Sequence, residues 1–147
     1  MSFLQTENLA KTYPNGVEAV KSLRMEIDKG EIYGLIGPNG AGKTTTIRIL
    51  MGVLSPTNGK VLFDNGKGID LSRTGYLPED ANFYPFMKVH EYLSWTCSLY
   101  LNSNIDKRVQ EALKIVGLVD LSQRKLDELS KGQKQRVGIA QALVHDP

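Results

Sequence analysis

The sequence has a single cysteine, Cys97, and it has no apolar run close to the ~18 residues that a membrane-spanning helix needs. One cysteine excludes an internal disulfide, and no signal-peptide pattern is present. Basic residues form neither a run nor an arm, and the formal net charge is only +2, so nothing indicates a nucleic-acid partner. We expect a cytoplasmic protein that reaches a membrane only through another subunit.

The strongest pattern that is present is a phosphate-binding loop. Residues 37–45 read Gly-Pro-Asn-Gly-Ala-Gly-Lys-Thr-Thr, which matches Gly, four residues, Gly, Lys and Ser or Thr. Glycines allow successive backbone N–H groups to curl around a phosphate, and the helix that follows points its positive end at the same anion. The alternative, an ordinary glycine-rich turn, does not explain the full pattern between an apolar run and an apolar-periodic run.

The motif assigns a contact to most of its residues. Lys43 is expected to reach the β- and γ-phosphates, Thr44 to place its hydroxyl on Mg²⁺, and Thr45 to donate toward the α-phosphate. The other candidate contacts of the loop are Asn39, Gly40, Ala41 and Gly42.

Around this loop the sequence predicts an α/β fold in one domain. Residues 3–13 and 17–28 are expected to form an antiparallel start around the turn at 13–16. Residues 32–36 are almost continuously apolar, which is typical of a strand in a parallel sheet covered on both faces. Short strands are predicted at 60–63 and 74–79, and a helix from Thr44 to near Gly52.

Helices are predicted for the rest of the chain. One covers 89–101, with Val89, Tyr92, Leu93, Cys97 and Tyr100 at helical spacing. A second is capped by Asn104 and ends at Gly117, and its apolar face is formed by Ile105, Val109, Ala112, Leu113 and Val116. A third starts after Ser130, with Val137, Ile139, Ala140, Leu143 and Val144 as its apolar residues.

A second motif lies at the start of that third helix. Residues 129–133 read Leu-Ser-Lys-Gly-Gln, and Ser130 with Gln133 has the spacing of a capping box. A capping box occurs on many helices, so by itself the motif indicates only a helix start. Its occurrence together with a phosphate loop favours a functional role.

Together the two motifs resemble those of the ATP-binding cassette (ABC) transporter ATPases, in which residues 129–133 would be the signature sequence. The resemblance covers essentially the whole chain. It implies a P-loop NTPase core with an N-terminal antiparallel β part (1–30), a P-loop core part (31–84) and a helical subdomain (85–147). It also implies ATP and Mg²⁺ as ligands, a transmembrane permease subunit as partner, and a second ATPase domain, identical or different.

The resemblance carries over five further site residues. Tyr13 is similar to the family's aromatic residue that stacks on adenine, the alternative being a surface turn tyrosine. Glu79 stands where the family has its glutamine loop, which implies a catalytic Mg²⁺ or water contact and communication with the permease; the alternative is a solvated carboxylate. Ser130, Gly132 and Gln133 would contact the γ-phosphate held by the other ATPase domain.

Three departures from the family pattern stand out. Lys131 replaces the first signature glycine and Glu79 the usual glutamine, as in an exporter-type bacterial subset. The chain ends at Pro147, before the Walker B strand that closes with Asp-Glu and before the switch histidine. Poor substitutes for these groups are Asp64, Asp120, His90 and His145.

We therefore expect the N-terminal part of an ATPase subunit of a membrane transporter, which binds ATP and by itself hydrolyses it negligibly. The alternative is a short nucleotide-binding or regulatory module that never hydrolyses ATP. A soluble cassette ATPase acting on ribosomes or DNA is disfavoured because the chain lacks basic runs and a second cassette. The signature segment disfavours kinases and GTPases.

Overall fold

The computed structural model describes residues 2–64, 66–79 and 81–147. They form two compact units, of which the first ends at Ile69 and the second runs from Asp70 to Pro147. We call them the N-terminal unit and the helical unit. Across the described ranges, no helix is long and apolar enough to cross a membrane.

A three-stranded antiparallel sheet is the main element of the N-terminal unit. Its strands, with β1 in the middle, are β1 (Ser2–Thr12), β2 (Glu18–Asp28) and β3 (Asn58–Phe63). At the turn that joins β1 to β2, Gly16 has a φ of +83° and donates its N–H to the Tyr13 carbonyl at 2.9 Å. The predicted antiparallel start and the short strand at 60–63 are thereby confirmed.

The core of this unit is small. In the described part of this unit, the sheet and the helix α1 (Lys43–Leu50) contribute the buried apolar side chains Leu4, Leu9, Val20, Met25 and Ile49. Thr6 is also buried, and its hydroxyl donates to the Leu23 carbonyl at 3.1 Å and accepts the Met25 N–H at 2.9 Å. The hydroxyl thus provides hydrogen-bond partners for two backbone groups next to an irregularity in the β1–β2 register.

Residues 32–36, predicted to be a buried strand, form no strand. Ile32 is 99% exposed and Ile36 94% exposed. A strand of a parallel sheet needs hydrogen-bonded neighbours and covered faces, and among the described residues no strand pairs with this segment. The prediction was wrong because apolar composition without a pairing partner leaves the segment in solvent.

The described residues of the helical unit form the α-helices α2 (Val89–Ser98), α3 (Ile105–Ile115) and α4 (Lys131–Leu143). The most enclosed residues of its core are Val89, Leu93, Cys97, Val109, Leu113, Leu118, Leu126, Val137 and Val144. The predicted apolar faces of α2 and α3 are confirmed, except that Tyr100 lies beyond the end of α2 and is exposed. On α4, Ile139 and Leu143 are exposed, because helical geometry places them away from the stripe of Val137, Ala140 and Val144.

The helix ends show one wrong and one correct prediction. Asn104 occupies the N-cap position of α3, but its φ of 59° is left-handed and its side chain makes no capping bond to the described residues. A capping side chain normally needs an extended backbone at this position. At the other end Gly117 has a φ of +63° and donates to the Lys114 carbonyl, while the Leu118 N–H bonds to the Leu113 carbonyl at 2.9 Å. This pair of bonds is a Schellman motif, which confirms Gly117 as the end of α3.

Residues 74–79, also predicted to be a strand, form an irregular segment along α4. A Cβ on Gly75 would overlap the Ala142 carbonyl oxygen, and a Cβ on Gly138 would lie 2.6 Å from Leu77 Cδ1. The two glycines therefore permit a close contact between the segment and the helix. Contacts with a helix replace the hydrogen bonds of a sheet, so this segment does not form a strand.

Cys97 lies on α2 and is fully buried against the end of α4, where its Sγ lies 3.7 Å from the Val144 carbonyl oxygen. Burial raises the pKa of the Cys97 thiol, and the charge of Arg108 opposes part of that rise. A buried neutral thiol is a poor nucleophile. Its reactivity therefore reports opening of the helical unit.

We predict that Leu113→Ala lowers the stability of the helical unit by about 2 to 5 kcal/mol, since it removes a fully buried side chain. The matched control is Ile115→Ala on the same helix, where the side chain is 70% exposed and the cost is expected to stay near ~0.5 kcal/mol. Urea unfolding followed by labelling of the Cys97 thiol measures both. Equal losses in the two variants would contradict the assignment of the core.

Candidate functional site

The phosphate loop, residues 37–45, leads directly into α1. Gly40 and Gly42 have φ values of +81° and +86°, the left-handed region that glycine adopts without strain. Gly42 is the N-cap of α1, and a Cβ on it would overlap the Ala19 carbonyl oxygen of β2. The loop is therefore held against β2 by a contact that only glycine permits.

The start of α1 supplies donors for an anion. Because the first N–H groups of a helix have no intrahelical partner, those of Lys43, Thr44 and Thr45 are available at this end. The first bond of the helix is made by the Thr46 N–H to the Gly42 carbonyl at 2.8 Å. No acidic side chain lies in the first turn, so the positive end of the helix dipole stays uncompensated by the helix itself.

Lys43 folds over its own loop. Its Nζ donates to the carbonyls of Gly37 and Pro38, each at 2.7 Å. The ammonium group therefore already lies at the loop, a short movement from any phosphate held there. Asn39, Gly40 and Ala41 are exposed along the same loop.

A cavity of about 410 Å³ lies between the loop and β2. Its lining includes Gly40, Ala41, Lys43 and Thr46 from the loop and α1, and Glu18 and Lys21 from β2. Glu18 and Lys21 form an exposed ion pair at 3.1 Å. The carboxylate nearest to this cavity is therefore engaged with a lysine.

Tyr13 lies beside this loop. Its hydroxyl oxygen is 3.2 Å from Thr45 Oγ1, and its side chain is half-buried. The Lys11 ammonium lies over the ring, 5.8 Å from the centroid. A tyrosine tied to the phosphate loop differs from a solvated turn residue, and sequence reasoning missed both Lys11 and the contact with Thr45 because neither belongs to a motif.

A second set of predicted residues lies at the start of α4 in the helical unit. The Ser130 N–H donates to Gln133 Oε1 at 2.8 Å, and the Gln133 N–H donates to Ser130 Oγ at 3.3 Å. This is the predicted capping box. A Cβ on Gly132 would meet nothing within 4 Å, so the fold of this unit has no need for a glycine there.

Glu79 lies near the same end of α4. It is exposed and lines a groove of about 750 Å³ together with Leu77, Phe83, Lys131, Lys134 and Gln135. Two lysines beside one carboxylate give this groove a net positive character. Glu79 is thus brought together with the signature segment, while Tyr13 is brought together with the phosphate loop.

Three of the four remaining acidic and histidine candidates have interaction partners of their own, and the fourth, Asp120, is exposed. Asp64 pairs with Lys67 at 3.3 Å, and Asp120 is exposed in a 3-10 turn. His90 Nε2 lies 3.7 Å from Asp106 Oδ1. His145 is buried, stacks on Tyr100 with ring centroids 4.1 Å apart, and lies 3.3 Å from the Thr74 carbonyl.

Metal ligands are sparse in the described ranges, where no group of three or more His, Cys, Asp or Glu side chains forms a metal site. Mg²⁺ bound to a nucleotide keeps several waters and needs only one or two protein oxygens besides the phosphates. The exposed Thr44 hydroxyl at the start of α1 fits that requirement.

Comparison with known proteins gives matches over nearly the whole chain. A family model described as ABC transporter matches residues 20–147. An uncharacterized ABC transporter ATP-binding protein of Bacillus subtilis, YxlF, is 40% identical over 149 residues, which cover 98% of this chain and 49% of that protein. The SkfA peptide export ATP-binding protein SkfE of the same organism is 38% identical over 151 residues, 99% of this chain and 63% of that protein.

A solved structure matches as well. It is the dimeric, post-hydrolysis state of the ATP-binding cassette MJ0796 bound to ADP and Pi, with a TM-score of 0.87 and 29% identity over 98% of this chain and 70% of that one. The likeness confirms the predicted fold class, an α/β P-loop ATPase core with an antiparallel β part and a helical part. The chain spans about half to two thirds of the length of the two relatives. Their names give no support to a purely regulatory module.

We predict that Gly42→Ala disrupts the N-terminal unit more than Gly40→Ala does. Both substitutions carry a left-handed strain of about 1 to 2 kcal/mol, but only the first also forces a methyl group into the Ala19 carbonyl, which adds about 1 to 3 kcal/mol. Hydrogen exchange of the α1 and β2 amides should be faster in Gly42→Ala. Equal protection in the two variants would show that the contact with β2 does not hold the loop.

Proposed function

This chain belongs to the ABC transporter family of ATP-binding proteins, and we propose that it binds Mg·ATP and serves within a transporter that couples ATP hydrolysis to movement of a substrate across a membrane. The observation that carries the proposal is the phosphate loop. Gly40 and Gly42 adopt the left-handed backbone that it requires, and Lys43 stands at the start of α1. Members of the family are ATPases, and a cassette similar in fold holds ADP and Pi.

In this proposal the loop binds the nucleotide through groups that the protein has already placed. The N–H groups from Gly40 to Thr45 surround the β-phosphate, and Lys43 exchanges the carbonyls of Gly37 and Pro38 for phosphate oxygens. Thr44 holds Mg²⁺, which neutralises phosphate charge when bound, and Thr45 donates to the α-phosphate. Tyr13 is the surface on which the adenine stacks.

We propose that the start of α4 contacts the γ-phosphate held by a second ATPase domain. The side chains of Ser130 and Gln133 cap α4 in this unit, so they hold the backbone of its first turn in place. Gly132 leaves open space beside the helix N-terminus, where the backbone can approach phosphate closely. An exposed glycine that the fold does not require supports this role.

We propose that the permease partner contacts the groove that contains Glu79. The groove is exposed, part apolar and part basic, which fits a protein partner better than a small ligand. Glu79 would contact Mg²⁺ or a water molecule at the nucleotide. A change at the nucleotide would thereby be transmitted to the permease. The expected location is the cytoplasmic face of a membrane, through the permease.

We predict that Lys43→Ala weakens binding of Mg·ATP about tenfold or more, since a hydrogen bond to a charged group contributes about 1.5 to 3 kcal/mol. The control is Lys60→Ala, which removes an exposed lysine paired with Glu7 on β1. Isothermal titration calorimetry measures both variants. The same affinity in Lys43→Ala and wild type would sink the proposed site.

We predict that this chain by itself hydrolyses ATP at a negligible rate. Glu18 is paired with Lys21 and Asp64 with Lys67, and absence of a general base typically lowers a rate by about 10² to 10⁴. Release of phosphate from Mg·ATP by the purified chain measures the rate, with Lys43→Ala as the background control. Turnover at a rate usual for the family, abolished by Lys43→Ala, would contradict the prediction and imply that a carboxylate such as Asp64, Glu79 or Asp120 has taken the role.

A further inference from the structure

Tyr13 is held in place before any nucleotide is bound. Its N–H donates to the Val17 carbonyl and its carbonyl accepts the Gly16 N–H, both at 2.9 Å, within the turn that follows β1. Lys11 covers one face of the ring, and its ammonium group is itself fixed by a 2.7 Å bond to the Ser55 carbonyl. The phenolic hydroxyl is therefore presented at a defined position.

The Tyr13 hydroxyl lies beside Thr45, the third residue of α1. The Tyr13 hydroxyl oxygen lies 3.2 Å from Thr45 Oγ1, across 32 residues of sequence, and both side chains are half-buried. Either hydroxyl can donate in this contact. The phenolic O–H is the more polarised of the two, which favours Tyr13 as donor and Thr45 as acceptor.

The hydroxyl of Thr45 then keeps its own proton for another acceptor. A hydroxyl has one proton to donate and two lone pairs to accept with. Threonines in helices often donate to the carbonyl four residues earlier, as Thr96 does to the Tyr92 carbonyl at 2.9 Å. Among the described residues, Thr45 makes no such bond, so its proton has no acceptor within the helix.

We propose that Tyr13 is a positioning residue for the phosphate site: its hydroxyl donates to Thr45 Oγ1 and so directs the Thr45 proton at the α-phosphate of the bound nucleotide. This inference rests on the proposed function and goes beyond the stacking role of the ring. The two hydroxyls and the phosphate form a chain of hydrogen bonds in which each bond polarises the next. The residue on which the base stacks thereby also strengthens the binding of the α-phosphate.

The direct test is Tyr13→Phe, which keeps the ring and removes only the hydroxyl. We expect affinity for Mg·ATP to fall about two- to tenfold, the usual range for one neutral hydrogen bond. The matched control is Tyr33→Phe, which removes the hydroxyl of an exposed tyrosine outside the site. Displacement of a fluorescent ATP analogue gives the affinities of ATP, AMP and adenosine.

A role in positioning requires more than lower affinity. The loss in Tyr13→Phe should be similar for ATP and AMP, which carry an α-phosphate, and absent for adenosine. It should also vanish in a Thr45→Val background and persist in Thr45→Ser, which keeps the hydroxyl.

The possible results separate this inference from the proposed function. If the wild-type chain does not bind the ATP analogue, the nucleotide site itself is refuted, and this inference with it. If the wild type binds and Tyr13→Phe binds equally well, only the inference is overturned. An equal loss for adenosine, or a loss that persists in Thr45→Val, would also overturn it, because the hydroxyl would then act through the ring or the fold.

Discussion

The contact between Gly42 and the Ala19 carbonyl of β2 is the constraint on which the nucleotide site depends. It brings the phosphate loop against the hairpin and fixes where α1 begins. With that start fixed, the first turn of α1 offers unpaired N–H groups directly after the loop whose carbonyls bind the Lys43 ammonium. Any larger residue at 42 would separate the loop from the sheet, so the demand for glycine arises from packing as much as from the need to bind phosphate.

Preorganisation is the shared feature of the two candidate surfaces. In the N-terminal unit, Lys43 is hydrogen-bonded to two loop carbonyls and Tyr13 to Thr45. Little side-chain conformational freedom therefore has to be lost when a nucleotide binds. In the helical unit, the capping box holds the first turn of α4. Its bonds use the side chains of Ser130 and Gln133, and the exposed Gly132 keeps the backbone approachable. Structural and binding roles therefore coexist in the same short motif.

Local patterns predicted much of this molecule because their physics is local. The hairpin follows from a glycine-containing turn between two alternating segments, and the end of α3 from a glycine in the left-handed region. The phosphate loop and the capping box depend on side chains and backbone groups a few residues apart. The apolar stripes of α2 and α3 follow from helical spacing alone. The predictions for Ile139 and Leu143 were wrong because both residues were assigned to the buried face for being apolar, without regard to the side of the helix on which they lie.

The sequence by itself determined the elements whose interactions lie within one turn or one hairpin, such as the loop around Lys43 and the start of α4 at Ser130. These two motifs also determined the family. Only the tertiary structure decided what needs a distant partner. Residues 32–36 stay exposed because an apolar segment becomes a strand only beside another strand. Residues 74–79 lie along α4 because Gly75 and Gly138 allow that approach. The bond from Tyr13 to Thr45 joins residues 32 positions apart, and no local pattern encodes a contact between two hydroxyl groups that the fold alone brings together.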